Sequence, residues 1–169
     1  NPHKCNDYRI NSVVIYMIFH KIARLNRFIC HKIILFKNYR RETMPYISKN
    51  PEKLLGLSVG TGQCVAFVEK TSATPLTMYW KQGTKVKNNF LLKKGTAIAT
   101  FQHGIYKNDI NGLSHAAIYL RQTAKGIYVL DQWNHNGKRH HVSERLIKFK
   151  DHDSKPVNDG NAYYVIESK

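Results

Sequence analysis

Gly60-Thr61-Gly62-Gln63-Cys64-Val65-Ala66-Phe67-Val68-Glu69 is a tight glycine turn running straight into a helix, with a cysteine in the first helical turn. Gly60 and Gly62 let the backbone turn sharply. Thr61 reads as the N-cap, and the run from Gln63 to Lys70 holds no breaker, so the helix is expected to stop near Thr71–Pro75. A thiol placed there sits at the positive end of a helix dipole, beside backbone N–H groups with no intrahelical partner. That setting lowers a cysteine pKa and offers donors to an oxyanion. Alone the pattern is weak, because a buried cysteine is usually a small core hydrophobe.

Downstream, Thr77–Gly83 suggests a second, short helix capped by Gly83, with Trp80 as a core anchor. Beyond Gly83 the period switches to strand. Gly95–Phe101 is a strand with a glycine entrance, and Gln102–Gly112 a loop. Ser114–Leu120 and Ile127–Trp133 are two further strands joined by a turn over Gln122–Gly126. The stretch Asn134–His141 is polar and exposed, Val142–Phe149 reads as a strand or a short helix, and Ala162–Glu167 closes the sheet. Helices first and an antiparallel meander after them make an α+β domain, with N-terminal helices packed on an antiparallel sheet.

Upstream, Pro45–Leu57 is a lead-in with a helical turn opened by Pro51 and ended by Gly56, and residues 1–43 differ in texture from everything after them. Val13–Lys37 can be drawn as a basic amphipathic helix for a membrane or a partner. The favoured reading makes 1–43 an N-terminal extension, non-native or disordered, and 44–169 the domain, with Met44 as its natural start.

The chain of 169 residues has a formal net charge of +16, which points to an anionic partner such as nucleic acid, anionic lipid or cell wall. The excess is spread out. Residues 1–44 carry nine Lys/Arg against two Asp/Glu, and the remainder carries eighteen against nine, which suits a solvated basic surface better than one dedicated groove. Cys5, Cys30 and Cys64 are an odd number at unrelated spacings, which suggests neither a disulfide framework nor a zinc ribbon. No apolar stretch is long enough to span a bilayer, so no stable membrane insertion is expected, and no signal peptide is visible.

Acyl transfer by a cysteine needs a nucleophile at a helix start, a histidine to share its proton and a polar group to orient that histidine. Cys64, His115 and Asp131 occur in that order. A hairpin pairing His115 with Asp131, Ala117 with Val129 and Tyr119 with Ile127 leaves the five residues 121–125 as its connection. Both functional side chains then share one face, and the small Ala117 leaves room for the helix that carries Cys64. Alternation sends Gln132 to the other face, so Gln132→Ala is expected to change turnover only modestly. The oxyanion donors are the Cys64 N–H and, as a second candidate, the Gln63 side chain. Taken singly, a strand histidine, a turn-capping aspartate and a solvated glutamine are the commoner explanations; together and in order they favour catalysis.

The runs Gly62–Val68, Leu92–Ile98 and Ser114–Leu120 resemble the NlpC/P60 and CHAP superfamily of papain-like amidases. Leu130–Trp133 and Tyr163–Glu167 bring the resemblance closest to the second family of type VI secretion amidase effectors, and it covers about residues 55–167. It implies hydrolysis of amide bonds in peptidoglycan stem peptides or crosslinks by an antibacterial effector. It also implies delivery into the periplasm of a target bacterium, an immunity protein as partner and no cofactor. Many NlpC/P60 members place a histidine where Asp131 stands, whereas the CHAP branch often uses an acidic or amide residue there.

Two alternatives stay open at this point. One keeps the papain-like site but makes it an acyltransferase or a deamidase. The other is a non-enzymatic basic module for nucleic acid or anionic membranes, in which the ten tyrosines stack on bases. Those tyrosines fall mainly in apolar strand patterns, so no nucleic acid is expected. His135, His140, His141 and His152 raise a metal site, but no nearby cysteine or carboxylate pair completes a ligand set, and a solvated basic loop is the better reading.

Overall fold

The computed structural model describes residues 45–109, 111–150 and 155–168. The expectations for residues 1–43, and His152, lie outside the described residues. Within them there is one α-helix, α1 (Cys64–Ser72). The strands are β1 (Trp80–Lys85), β2 (Ala97–Thr100), β3 (Ala116–Thr123), β4 (Gly126–His135), β5 (Lys138–Lys148) and β6 (Tyr163–Ser168), with short 3₁₀ turns between. They form one antiparallel sheet in the order β1-β6-β2-β3-β4-β5.

The helix ends where its last hydroxyls turn back on the chain. Thr71 Oγ1 and Ser72 Oγ donate to the Phe67 and Val68 carbonyls at 2.8 and 2.7 Å, and Ala73 leaves the helix in the left-handed region at φ 55°. Phe67 and Val68 are fully buried against Ala97, Ala99, Ala116, Ile118 and Leu130, where small alanines let the helix approach the sheet. A second apolar layer on the opposite face holds Ile98, Ala117, Tyr119, Ile127, Val129, Ile147 and Tyr163. Gly95 (φ 91°) lies under the lead-in segment, whose Ser48 N–H donates to the Gly95 carbonyl at 2.8 Å. A Cβ there would stand 2.2 Å from the Ser48 carbonyl oxygen, so only glycine allows the approach.

Three local expectations change. The expected second helix over Thr77–Gly83 is a 3₁₀ turn, Thr77–Tyr79, followed by β1. The reason is long-range, because β1 pairs with β6 at the far end of the chain while the Trp80 indole donates to the Pro75 carbonyl at 2.7 Å. Asn134–His141 is part of a β4–β5 hairpin closed by Asn136-Gly137, with φ 51° and 74°. That is the dipeptide such two-residue turns demand. And it is Ala116, not Ala117, that faces α1.

The β3–β4 hairpin is tighter than expected. Thr123 pairs with Gly126 across Ala124-Lys125, not across five residues. Continued unbroken, that register would set Asp131 opposite Ile118, on the wrong face for His115. A bulge at Leu120, between Tyr119 and Arg121, absorbs one residue of β3, after which Tyr119 pairs with Val129 and Ile118 with Leu130. The result is two residues away from the expected pairing. Because side chains alternate with a period of two, Asp131 still shares the face of His115.

Candidate active site

The turn before α1 sets the thiol. Gly60 and Gly62 both have positive φ, 61° and 81°, and the Gly62 N–H donates to the Val59 carbonyl at 3.1 Å. Because Gly62 is still turning in the left-handed region, the helix begins at Cys64 and its N-cap is Gln63, in extended backbone, not Thr61. The Gln63 carbonyl accepts the first helical bond, from the Phe67 N–H at 3.1 Å. Cys64 is half-buried with a free thiol. Its backbone N–H donates to no acceptor among the described residues, as expected of a first helical residue. The Gln63 side chain, the second oxyanion candidate, is exposed and donates from Nε2 to the Asn134 carbonyl at 3.4 Å.

His115 precedes β3 and is buried. Its N–H donates to Thr100 Oγ1 at 3.0 Å and its carbonyl accepts from the Thr100 N–H at 3.0 Å, so both ends of its backbone are tied to β2. Its ring Nε2 lies 2.8 Å from Asp131 Oδ2. That engagement leaves Nδ1 as the ring nitrogen available to the Cys64 thiol. Asp131 is fully buried, and the same Oδ2 accepts from Arg145 Nε at 2.9 Å and Nη2 at 2.5 Å. Its Oδ1 is buried without a partner among the described residues.

The charges follow from this geometry. Burial pushes the Cys64 thiol up, but the His115 charge and hydrogen bond, the Ala116 backbone and the Tyr106 hydroxyl pull it below its ordinary value. Burial pulls His115 down, yet the Cys64 thiolate and the Asp131 carboxylate raise it to about 9. Burial works against the Asp131 charge as well, and His115 and Arg145 together hold its carboxyl below the usual range. A thiolate–imidazolium pair is thus favoured near neutral pH, the state a cysteine nucleophile needs.

These groups open onto a cleft of about 1130 Å³, lined among others by Cys64, Tyr106, His115, Trp133, His140 and Arg145. Trp133 forms one wall, stacked on His140 at 4.2 Å, edge-on to His115 at 6.4 Å, and beneath the Arg145 guanidinium at 5.1 Å. Tyr106 is buried, with its ring 4.8 Å from Trp80 and 6.3 Å from Phe101. His141 is turned elsewhere, its Nδ1 2.9 Å from the Gly56 carbonyl. Among the described residues no three His, Cys, Asp or Glu side chains gather closely enough to hold a metal.

The structure therefore gathers Cys64, His115 and Asp131 and adds two groups the sequence reading missed. Arg145 had a usable signal. Ser143, Arg145 and Ile147 alternate on β5, and Ile147 is core, so a cation on that face must meet a buried partner. Tyr106 lies in the loop between β2 and β3, where no periodicity marks it.

Comparison with known proteins agrees in extent with this arrangement. The family described as Domesticated amidase effector 2 matches residues 36–166. A type VI secretion amidase effector 2 protein of Salmonella typhi is 35% identical over 135 residues, spanning 73% of this chain and 100% of that protein. Domesticated amidase effector 2 of Ixodes scapularis is 35% identical over 115 residues, 66% of this chain and 75% of that protein. A solved structure of type 6 secretion amidase effector 2 superposes with a TM-score of 0.66 and 32% identity, covering 75% of this chain and 96% of that one.

Proposed function

This chain belongs to the domesticated amidase effector 2 family, and from that premise we propose that it is a cysteine-dependent amidase or endopeptidase cleaving amide bonds of peptidoglycan stem peptides or crosslinks. The observation that carries the reading is the hydrogen-bonded series His115–Asp131–Arg145 beside a helix-start cysteine, with Cys64, His115 and Arg145 lining the cleft. The Cys64 thiolate attacks the amide carbonyl, and the carbonyl oxygen takes up the negative charge beside the Cys64 N–H. His115 donates its Nδ1 proton to the leaving amine as the C–N bond breaks, leaving a thioester. His115 then takes a proton from water, the hydroxide attacks the thioester, and the carboxylic acid leaves as the thiolate returns. Asp131 holds the imidazole by Nε2 and stabilises its charge, and Arg145 holds Asp131 ionised.

The fold is of the papain-like type and, within it, of the NlpC/P60 and CHAP kind, a reading supported by the order of helix-borne cysteine, histidine strand and aspartate strand. Residues 44–169 form the catalytic domain. The protein acts as an antibacterial effector delivered into the periplasm of a target bacterium, and an immunity protein restrains it in the producing cell. The net charge of +16 suits an anionic wall. The test is digestion of purified sacculi, followed by analysis of released muropeptides. The chain is expected to release new amine termini and Cys64→Ala to release none; a Cys64→Ala protein that digests at the normal rate would refute the mechanism.

A further inference from the structure

Gln132 is wholly buried, next in sequence to Asp131 but on the face that α1 covers. Its side-chain amide is fully engaged with the backbone of the glycine turn. Oε1 accepts from the Val59 N–H at 2.9 Å, while Nε2 donates to the Val59 carbonyl at 2.7 Å and to the Gln63 carbonyl at 3.0 Å. The reciprocal pair with Val59 acts as one rung of an antiparallel ladder, and both amide protons are in use. The tether falls on the stretch with the most backbone freedom, between Val59 and Gln63, where Gly60 and Gly62 both have positive φ.

The bond to Gln63 bears on chemistry. The Gln63 carbonyl and the Cys64 N–H belong to one planar, trans peptide unit, in which they point in opposite directions. The carbonyl is held twice, by Gln132 Nε2 and by the Phe67 N–H. A peptide plane pinned at its carbonyl is pinned at its N–H, and this N–H has no acceptor among the described residues. Thr61, Gln63 and Cys64 all line the cleft.

We propose that Gln132 is the positioning residue of the oxyanion hole, locking the Gln63–Cys64 peptide so that the Cys64 N–H stays aimed at the tetrahedral intermediate. The inference rests on Cys64 being the nucleophile, and it gives Gln132 a role that strand alternation alone denies it. A donor that rotates away loses an interaction made most strongly in the transition state, so the loss falls on kcat more than on KM.

The test uses the full chain carrying Gln132→Met, which has no amide, or Gln132→Glu, whose carboxylate cannot donate. The substrate is a soluble muropeptide mixture from muramidase-treated sacculi. Thermal melts identify the folded variants, and either one alone carries the test. The expected result is a fall in kcat of about 10²-fold with KM changed less than about threefold. In Gln132→Met, which adds no charge, alkylation of Cys64 by iodoacetamide should keep its wild-type pH profile, because displacement at iodoacetamide carbon builds no oxyanion. Relative to wild type at each pH, Gln132→Glu should recover as the carboxyl protonates and regains a donor, and Gln132→Met should not. The inference is overturned if kcat stays within about threefold of wild type, or if the alkylation profile of Gln132→Met moves in step with its kcat, which would mark a general loosening of the site. Cys64→Ala run beside them separates the two levels. Its activity would overturn the nucleophile itself, whereas active Gln132 variants beside an inactive Cys64→Ala overturn only the oxyanion role.

Discussion

Asp131→Asn keeps the shape of the side chain and removes one buried charge. In the folded chain, Asp131 Oδ2 accepts from His115 at 2.8 Å and from Arg145 at 2.9 and 2.5 Å. His115 is raised to about 9 from an ordinary 6.5: burial opposes the rise, and Cys64 and then Asp131 drive it. That gap corresponds to roughly 3 kcal/mol at about 1.4 kcal/mol per tenfold change. Cys64 is the larger of the two causes, so removing Asp131 lowers the imidazole pKa in part and thins the ion-pair population without abolishing it. In the variant, Arg145 also faces the imidazolium without its counter-charge, and the ring loses its orienting carboxylate. Together these should lower turnover by roughly 10²-fold at neutral pH, less than Cys64→Ala does. The thiolate–imidazolium pair exists between the lowered thiol pKa and the raised imidazole pKa, so removing Asp131 narrows that window from both ends. The assay is the rate of Cys64 capture by iodoacetamide against pH, read by mass spectrometry beside muropeptide turnover. Alkylation should begin at higher pH in Asp131→Asn. An unshifted alkylation curve together with turnover within about threefold of wild type would refute the reasoning.

The same groups set how stability varies with pH. His115 is raised in the folded state, so its contribution is full below its ordinary 6.5 and is lost as pH rises through about 9. Asp131 is lowered, so its contribution is present above its ordinary 3.8 and is lost as pH falls through the folded value. Urea midpoints measured across pH should therefore decline at both ends, and Asp131→Asn should flatten the acid arm. Tyr106→Phe keeps the ring packing against Trp80 and Phe101 but removes the hydroxyl that helps lower the Cys64 thiol. It should leave the melting temperature almost unchanged, raise the pH of alkylation and slow turnover about tenfold, the worth of a hydrogen bond to a charged group. A fragment spanning residues 44–169 should fold and digest sacculi like the full chain; a soluble, folded but inactive fragment would show that the preceding segment takes part.

The local chemistry was written in short stretches. Gly60, Gly62 and Cys64 announce a turn and a helix start because glycine alone enters the left-handed region freely and a first-turn thiol meets unpaired N–H groups. The alternation of Ile127, Val129 and Asp131 was enough to put Asp131 and Gln132 on opposite faces, and the order of cysteine, histidine and aspartate was enough to suggest acyl transfer. Asn136-Gly137 is equally local as a hairpin signal, both residues having positive φ. What the chain could not disclose locally depends on distant partners. Trp80–Lys85 is a strand because β6, at the other end of the chain, pairs with it. The bulge at Leu120 arises from a conflict between a two-residue turn and the pairing beyond it, and it restores Asp131 to the face of His115. Arg145 and Tyr106 enter the site from β5 and from an irregular loop, and Gln132 reaches back across 69 positions to the Gln63 carbonyl. Local propensity and periodicity decide what each stretch becomes, since they act through neighbouring residues. Register and the meeting of side chains from separate strands are decided only when the whole sheet pairs, because each such contact takes its energy from groups far apart in the chain.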